Sequence, residues 1–249
     1  MNAQNGHLDI GGVFDSTTEI YKNCFGTVWI VALVLLIPAN IIVALLGNGI
    51  LGIIGSLISL AASAWLMGSI IKIVQDVEAD GRVDMSVGEI LGAVWPRIVP
   101  IVLLEIVVGI LVAIGLIFLI IPGVILALMW SVSLPALVVE DKGVFDSMSR
   151  SSELTRENRM RILGLAILIL VLYLVLVIVV ALLAAITPIL GIIVGIVLGV
   201  LIYPYIAIIS TVLYFNLVEL KEGLVMASET VVEETLIVDE GPADPPAAV

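Results

Sequence analysis

Glu105 is the residue in this sequence best placed to do chemistry. It is the only acidic residue inside any of the long apolar segments, seven positions past Ile98. On a helix that is about 10 Å from the end. A charge near the middle of a membrane helix costs about 2.5–3.5 kcal/mol, so such residues face a partner or a wet cavity. Equal depth on the other segments reaches Ser131 and Ser133 on the fourth, Ser210 and Thr211 on the sixth, and Ser63 somewhat deeper on the second. These residues predict a polar layer in the inner half of a bilayer. It would serve as a proton or cation site, or as a polar groove for lipid headgroups. The plainer alternative is a protonated Glu105 hydrogen-bonded to a serine or a carbonyl and used for helix packing.

Catalytic patterns are absent. His7, the one histidine, sits in the polar N-terminal tail, so no serine–histidine pair for hydrolysis is expected; Cys24 is the one cysteine, which rules out a cysteine-based metal site. There is no HExxH and no glycine-rich phosphate loop. The expectation is a protein that is not an enzyme and that needs no cofactor or metal. A net charge of -12 argues against nucleic acid, whose binding needs clustered Lys and Arg.

The elements that must carry these residues are membrane helices. The chain is 61% hydrophobic and 13% charged, against about 25% charged for a soluble domain. Lipid is therefore the expected solvent. Six apolar segments fall at about 25–46, 50–74, 98–120, 122–139, 162–186 and 188–217. The linkers alternate between short uncharged turns (Gly47-Asn48-Gly49, Ile121-Pro122-Gly123, Thr187-Pro188) and long charged ones. All ten basic residues lie on the side of the long linkers. The positive-inside rule makes that side cytoplasmic. The fold class expected is an all-α polytopic membrane protein: three transmembrane hairpins, each preceded by a short cytoplasmic interfacial helix, with both termini inside.

Residues 1–24 read as a cytoplasmic tail and surface helix. Its helical part is 14–23, capped by Asp15 or Ser16. The stretch lacks a basic region and cleavage site, so the first span is expected to be an uncleaved helix. The six-helix domain is 25–218. Residues 219–249 are acidic and expected to be disordered, with Val231-Val232 and Leu236-Ile237-Val238 as a possible docking motif.

The units look repeated. Glu78 to Gly81, Glu140 to Gly143 and Glu219 to Gly223 follow the even helices. Phe14-Asp15-Ser16, Asp84-Met85-Ser86 and Phe145-Asp146-Ser147 lead into the odd ones. This predicts three parallel repeats.

Two further features concern lipid and packing. Residues 139–161 hold five acids and five bases. They are expected to form an amphipathic helix on the membrane, with Arg156, Arg159 and Arg161 at phosphate level; a solvated loop is the alternative. Gly191, Gly195 and Gly199 form a small-residue stripe, as do Gly52, Ser56, Ser59 and Ser63. Both predict close helix packing within the bundle. Pro204 should kink the sixth helix, and Pro38 with Asn40 marks the first.

Several short motifs join these regions. They are Ile120-Ile121-Pro122-Gly123, Trp130, Pro135, Val138-Val139-Glu140, Gly143, Ser147 and the run Arg150 to Thr155. Arg159-Met160-Arg161-Ile162-Leu163-Gly164 and Thr211 to Leu217 with Glu222-Gly223-Leu224 complete them. With them the chain resembles the membrane domain of glycerophosphoryl diester phosphodiesterases over roughly residues 15–225. Arg156-Glu157-Asn158 departs from the lysine, glycine and aromatic usual there. The resemblance implies a stand-alone membrane domain, because a catalytic barrel would need a further soluble domain.

The function expected is structural or accessory. The protein would meet membrane lipids, or a cytoplasmic or membrane protein partner, from the cytoplasmic face of the cell membrane. The alternative is a small transporter or lipid-translocating protein using the layer around Glu105. The oligomeric state is not legible in the sequence.

Overall fold

A computed structural model describes residues 8–47, 49–187, 189–191, 194 and 204–223. Among these the chain is all-helical, with no strand. The helices are α1 (Ile10–Leu46), α2 (Ile50–Asp80), α3 (Val87–Val94), α4 (Ile98–Phe118), α5 (Ile120–Met129), α6 (Ser133–Val139), α7 (Val144–Thr155) and α8 (Arg159–Ile186). A 3-10 turn, Trp95–Arg97, joins α3 to α4. The described helix 204–223 is α9. Five helical stretches are long and apolar enough to cross a membrane: Ile10–Leu46, Ile50–Ala79, Val87–Phe118, Ile120–Val139 and Arg159–Ile186. The sixth expected segment, 188–217, is described only in part.

Local chemistry explains where the helices start and stop. Asp9 caps α1, its side chain accepting from the Gly11 amide at 3.0 Å. Ser86 and Glu89 form a reciprocal capping box at the start of α3. The Asp76 carboxylate accepts from the amides of Asp84 and Met85 at 2.8 and 3.0 Å, tying the loop before α3 back to α2. The first hairpin turns on Gly47 and Gly49, whose φ values of 66° and 84° suit a residue without Cβ.

Two expected elements differ. The helix expected at 14–23 is not separate: α1 runs unbroken to Leu46. Asp15 and Ser16 lie inside it, because Asp9 supplies the cap. The fourth span is not one helix. It breaks at Trp130–Val132 between α5 and α6.

The three expected lead-ins differ from one another. The lead-in helix is fused to the span in α1, joined by a 3-10 turn in α3–α4, and separated by the turn 156–158 in α7–α8. Within the hairpins, small residues let backbones touch. A Cβ on Gly123 would lie 2.5 Å from the Leu116 amide nitrogen, and one on Gly191 would lie 2.6 Å from the Ala184 Cα. Gly191 thus packs inside its own hairpin; Gly195 and Gly199 lie outside the described residues.

The core gathers at the end of the bundle that carries the charges. One cluster joins α1, α2 and α9 through Val28, Leu66, Ile73, Ile208 and Val212. A second joins α2, α3, α4, α6 and α7 through Ile71, Val94, Ile101, Leu104, Leu137 and Met148. α2 serves both. At the opposite end, Leu45, Ile50, Ile117, Phe118 and Ile186 are exposed around the hairpin turns, as lipid-facing side chains should be.

Candidate functional site

The break in the fourth span is the centre of the polar structure. Ending α5 at Met129 frees carbonyls that a continuous helix would bond. Side chains from other helices take them. Ser151 Oγ on α7 donates to the Met129 carbonyl at 2.8 Å, and Thr155 Oγ1 lies 3.3 Å from the same oxygen while donating at 2.9 Å to the Ser151 carbonyl of its own helix. The Val132 amide donates to Ser151 Oγ at 3.3 Å. Ser210 Oγ on α9 donates to the Ser131 carbonyl at 3.3 Å.

α7, expected as an amphipathic helix on the membrane, packs one face against the broken span. The residues 139–161 do contain a helix, but Ser147, Met148, Ser151, Leu154 and Thr155 are all buried. The hydroxyls at 147, 151 and 155 share one face at helical spacing, and that face meets the freed backbone of the broken span. Val144 is half-buried and Phe145 is 74% exposed. Of the expected apolar face, only Met148 and Leu154 pack fully inward.

Beyond α6 lies a network of charges. Glu140 accepts from Arg150 Nε at 2.8 Å and from the Tyr214 hydroxyl at 2.7 Å, and pairs with Lys142. Arg150 also reaches Glu222 at 3.5 Å. Lys221 Nζ meets Glu153 at 2.8 Å, and Arg97 Nη2 meets Asp141 at 2.7 Å. Partial burial raises the Glu140 carboxyl, but hydrogen bonds from Lys142, Arg150 and Tyr214 and the charge of Arg150 outweigh it, holding it below its ordinary value. Glu153 is likewise lowered, first by the hydrogen bond from Lys221.

A third contact ties down the N-terminal side of α1. The Leu8 amide donates to Asn158 Oδ1 at 3.2 Å, and Arg161 Nη1 donates to the Leu8 carbonyl at 2.6 Å. The Leu8 side chain is fully buried.

The expected polar layer forms only in part. Ser131 and Ser210 meet. Ser133 and Thr211 are buried, but their hydroxyls bond back to Trp130 and Ala207 of their own chain segments. Ser63 Oγ donates to the Leu60 carbonyl. Glu105 is half-buried and makes no hydrogen bond among the described residues. The three arginines also diverge. Arg156 is exposed, Arg159 is half-buried with its Nε unpartnered among the described residues, and Arg161 holds Leu8.

Sequence reasoning missed Tyr214, Arg97 and the Asn158–Leu8 contact. Nothing local in the sequence signals any of them. The hydroxyl period 147, 151, 155 was a readable signal for the buried face of α7.

The uncharacterised protein family UPF0259 matches this chain over residues 46–216. The chain belongs to that family. The match runs from the first hairpin turn to α9, and so contains the broken span and the residues that pair with Glu140 through Tyr214. It overturns the resemblance to the membrane domain of glycerophosphoryl diester phosphodiesterases, since no family related to those enzymes is found. The motifs behind that resemblance are Pro-Gly turns, helix-end glutamates and small residues. Membrane hairpins of different descent use these for the same physical reasons. No solved structure matches the chain.

Proposed function

We propose that this UPF0259 protein is a multi-pass protein of the cell membrane with an accessory, non-catalytic role. It crosses six times as three hairpins, with both termini and the charged end in the cytoplasm. It presents that end as a rigid platform to lipid headgroups or to a protein partner. The observation that carries this reading is Glu140, held at once by Lys142, Arg150 and Tyr214. A carboxylate engaged by three donors fixes α6, α7 and α9 to one another and has little freedom to serve as an acid or base.

Topology is the first test. A cysteine or glycosylation acceptor placed in Gly47–Gly49 should report outside, and one placed in 140–161 should report inside. The reverse labelling would overturn the orientation. Co-purification of a partner should be lost when exposed residues of 140–161 are changed and kept when hairpin tips are changed.

A transporter or lipid-translocating role is the second reading. The specific support is the broken fourth span, since discontinuous helices line substrate paths in transporters, together with the half-buried, unpaired Glu105. Flux in reconstituted vesicles decides it. Wild type should exceed empty vesicles and Glu105→Gln should abolish the excess; no excess, or an unchanged Glu105→Gln, would remove this reading.

A further inference from the structure

An apolar groove of about 530 Å³ runs between α1, α2 and the α3–α4 junction. Pro38 and Ala39 form one wall, and Ala61 and Ala62 form the floor. Trp65 and Trp95 stand at the end nearer the charges, ring centroids 5.0 Å apart. The Trp65 indole N–H is already satisfied by the Leu91 carbonyl at 3.1 Å, so both rings offer apolar surface. Small residues on a membrane helix usually mark the approach of another helix. Here Ala61 and Ala62 face open space, at a depth where water has no polar partner to hold it.

The stripe of α2 that floors the groove continues toward the charged end. Ile58, Ala62, Trp65, the fully buried Ser69 and Lys72 follow at helical spacing, and Lys72 lies about 15 Å along the axis from Ala62. Lys72 Nζ makes one hydrogen bond among the described residues, to Gln75 Oε1 at 2.7 Å, which leaves two ammonium donors. Arg97 sits two residues after Trp95. Its Nε and Nη2 contact Asp141 Oδ1, and its remaining N–H groups are free of that pair.

We propose that the groove holds one acyl tail of an anionic phospholipid, with the phosphate at Lys72 and Arg97. The proposal rests on the membrane placement and orientation given above, and names the lipid that the platform retains. The apolar groove takes the tail, the indoles lie at the level where tryptophan collects in membrane proteins, and two cations stand where a headgroup phosphate follows from the tail. Asp141 pairs with Arg97 and lies within Coulombic reach of Lys72 as well, so the phosphate takes the Lys72 donors that Gln75 leaves free.

The test uses the full chain, purified in mild detergent after mixing with vesicles of phosphatidylglycerol and phosphatidylcholine in equal parts. Native mass spectrometry then counts the lipids retained. The wild type should keep one phosphatidylglycerol per chain. Ala62→Phe, and the milder Ala61→Leu, should lose it with unchanged helix content. Ala113→Phe, on an exposed face of α4, should not. Lys72→Gln should lower phosphatidylglycerol retention about fivefold, from the loss of one interfacial cation, without touching phosphatidylcholine. Full retention by both groove variants would overturn the site, and an unchanged lipid ratio in Lys72→Gln would overturn the phosphate assignment. Disulfide or bis-maleimide linkage of two chains through Ala62→Cys, in a Cys24→Ser background, would make a second copy the occupant and refute the proposal. A chain that labels with the proposed topology yet keeps no lipid refutes the groove alone; a chain with inverted labelling refutes the platform reading.

Discussion

The two ends of this bundle are built on different principles. At the charged end, three separate helices converge on Glu140, and hydroxyls from α7 and α9 fill the bonds that the broken span leaves open. Among the described residues, the hairpin tips show no such cross-bracing. Each tip is held mainly by its own two helices, through contacts such as Gly123 against Leu116 and Gly191 against Ala184, while large apolar residues face outward. Cohesion between hairpins is thus a property of the charged end, and cohesion within a hairpin a property of the tip.

Glu140→Ala should show the largest effect. Removing one partner of a partly buried ion pair leaves Arg150 only its longer contact to Glu222, at a cost of about 3 kcal/mol. Reversible unfolding in mixed micelles, followed by circular dichroism, would measure it. If Glu140→Ala costs no more than a tip substitution, the contrast between the ends disappears. Gly123→Val should come next. Its Cβ meets the Leu116 backbone, which must shift, for about 2 kcal/mol; a cysteine pair across the second hairpin should cross-link more slowly in this variant, while pairs across α6 and α7 stay unchanged. Ser151→Ala removes the donor to the Met129 carbonyl and should cost about 1 kcal/mol, with faster amide exchange at 130–133. Ile117→Ala, at a lipid-facing tip, should change stability by less than about 0.5 kcal/mol.

Acid should weaken the charged end selectively. Glu140 and Glu153 have carboxyl groups lowered in the folded protein. Their contribution is therefore fully present above the ordinary carboxylate value, about 4.3. It is lost as pH falls through the lower folded value. Stability measured from pH 7 to pH 3 should drop in wild type and drop less in Glu140→Gln.

Much of this contrast was readable in the residues. Apolar run lengths, the alternation of bare and charged linkers, and the lead-in motif ending in Ser86 and Glu89 all follow from local physics, and the structure places helices accordingly. The break after Met129 has a local signal in Pro135, which lacks an amide hydrogen and whose ring crowds the carbonyl of Ser131 four positions earlier. What the residues did not reveal is how the freed groups are satisfied, by Ser151 from α7 and Ser210 from α9, which is a tertiary fact. Glu105 drew attention by its rarity in an apolar segment. Tyr214 did not, because an aromatic near a membrane surface is ordinary, and only its 2.7 Å bond to Glu140 sets it apart. The polar contacts of the folded chain gather on Glu140 rather than on Glu105.

The contact between Leu8 and Asn158 spans 150 positions of chain. At about 5–20 residues per second of synthesis, roughly 8–30 s separate the emergence of its two halves. The first helix therefore enters the membrane long before its docking partner exists. The buried Leu8 must wait in a provisional environment until α8 arrives, and α1 waits longer still for α9, whose Tyr205 hydroxyl meets Thr18 Oγ1 at 3.1 Å across 187 positions. Biogenesis of this protein closes at its beginning: the last seams to be sealed are those of its first helix.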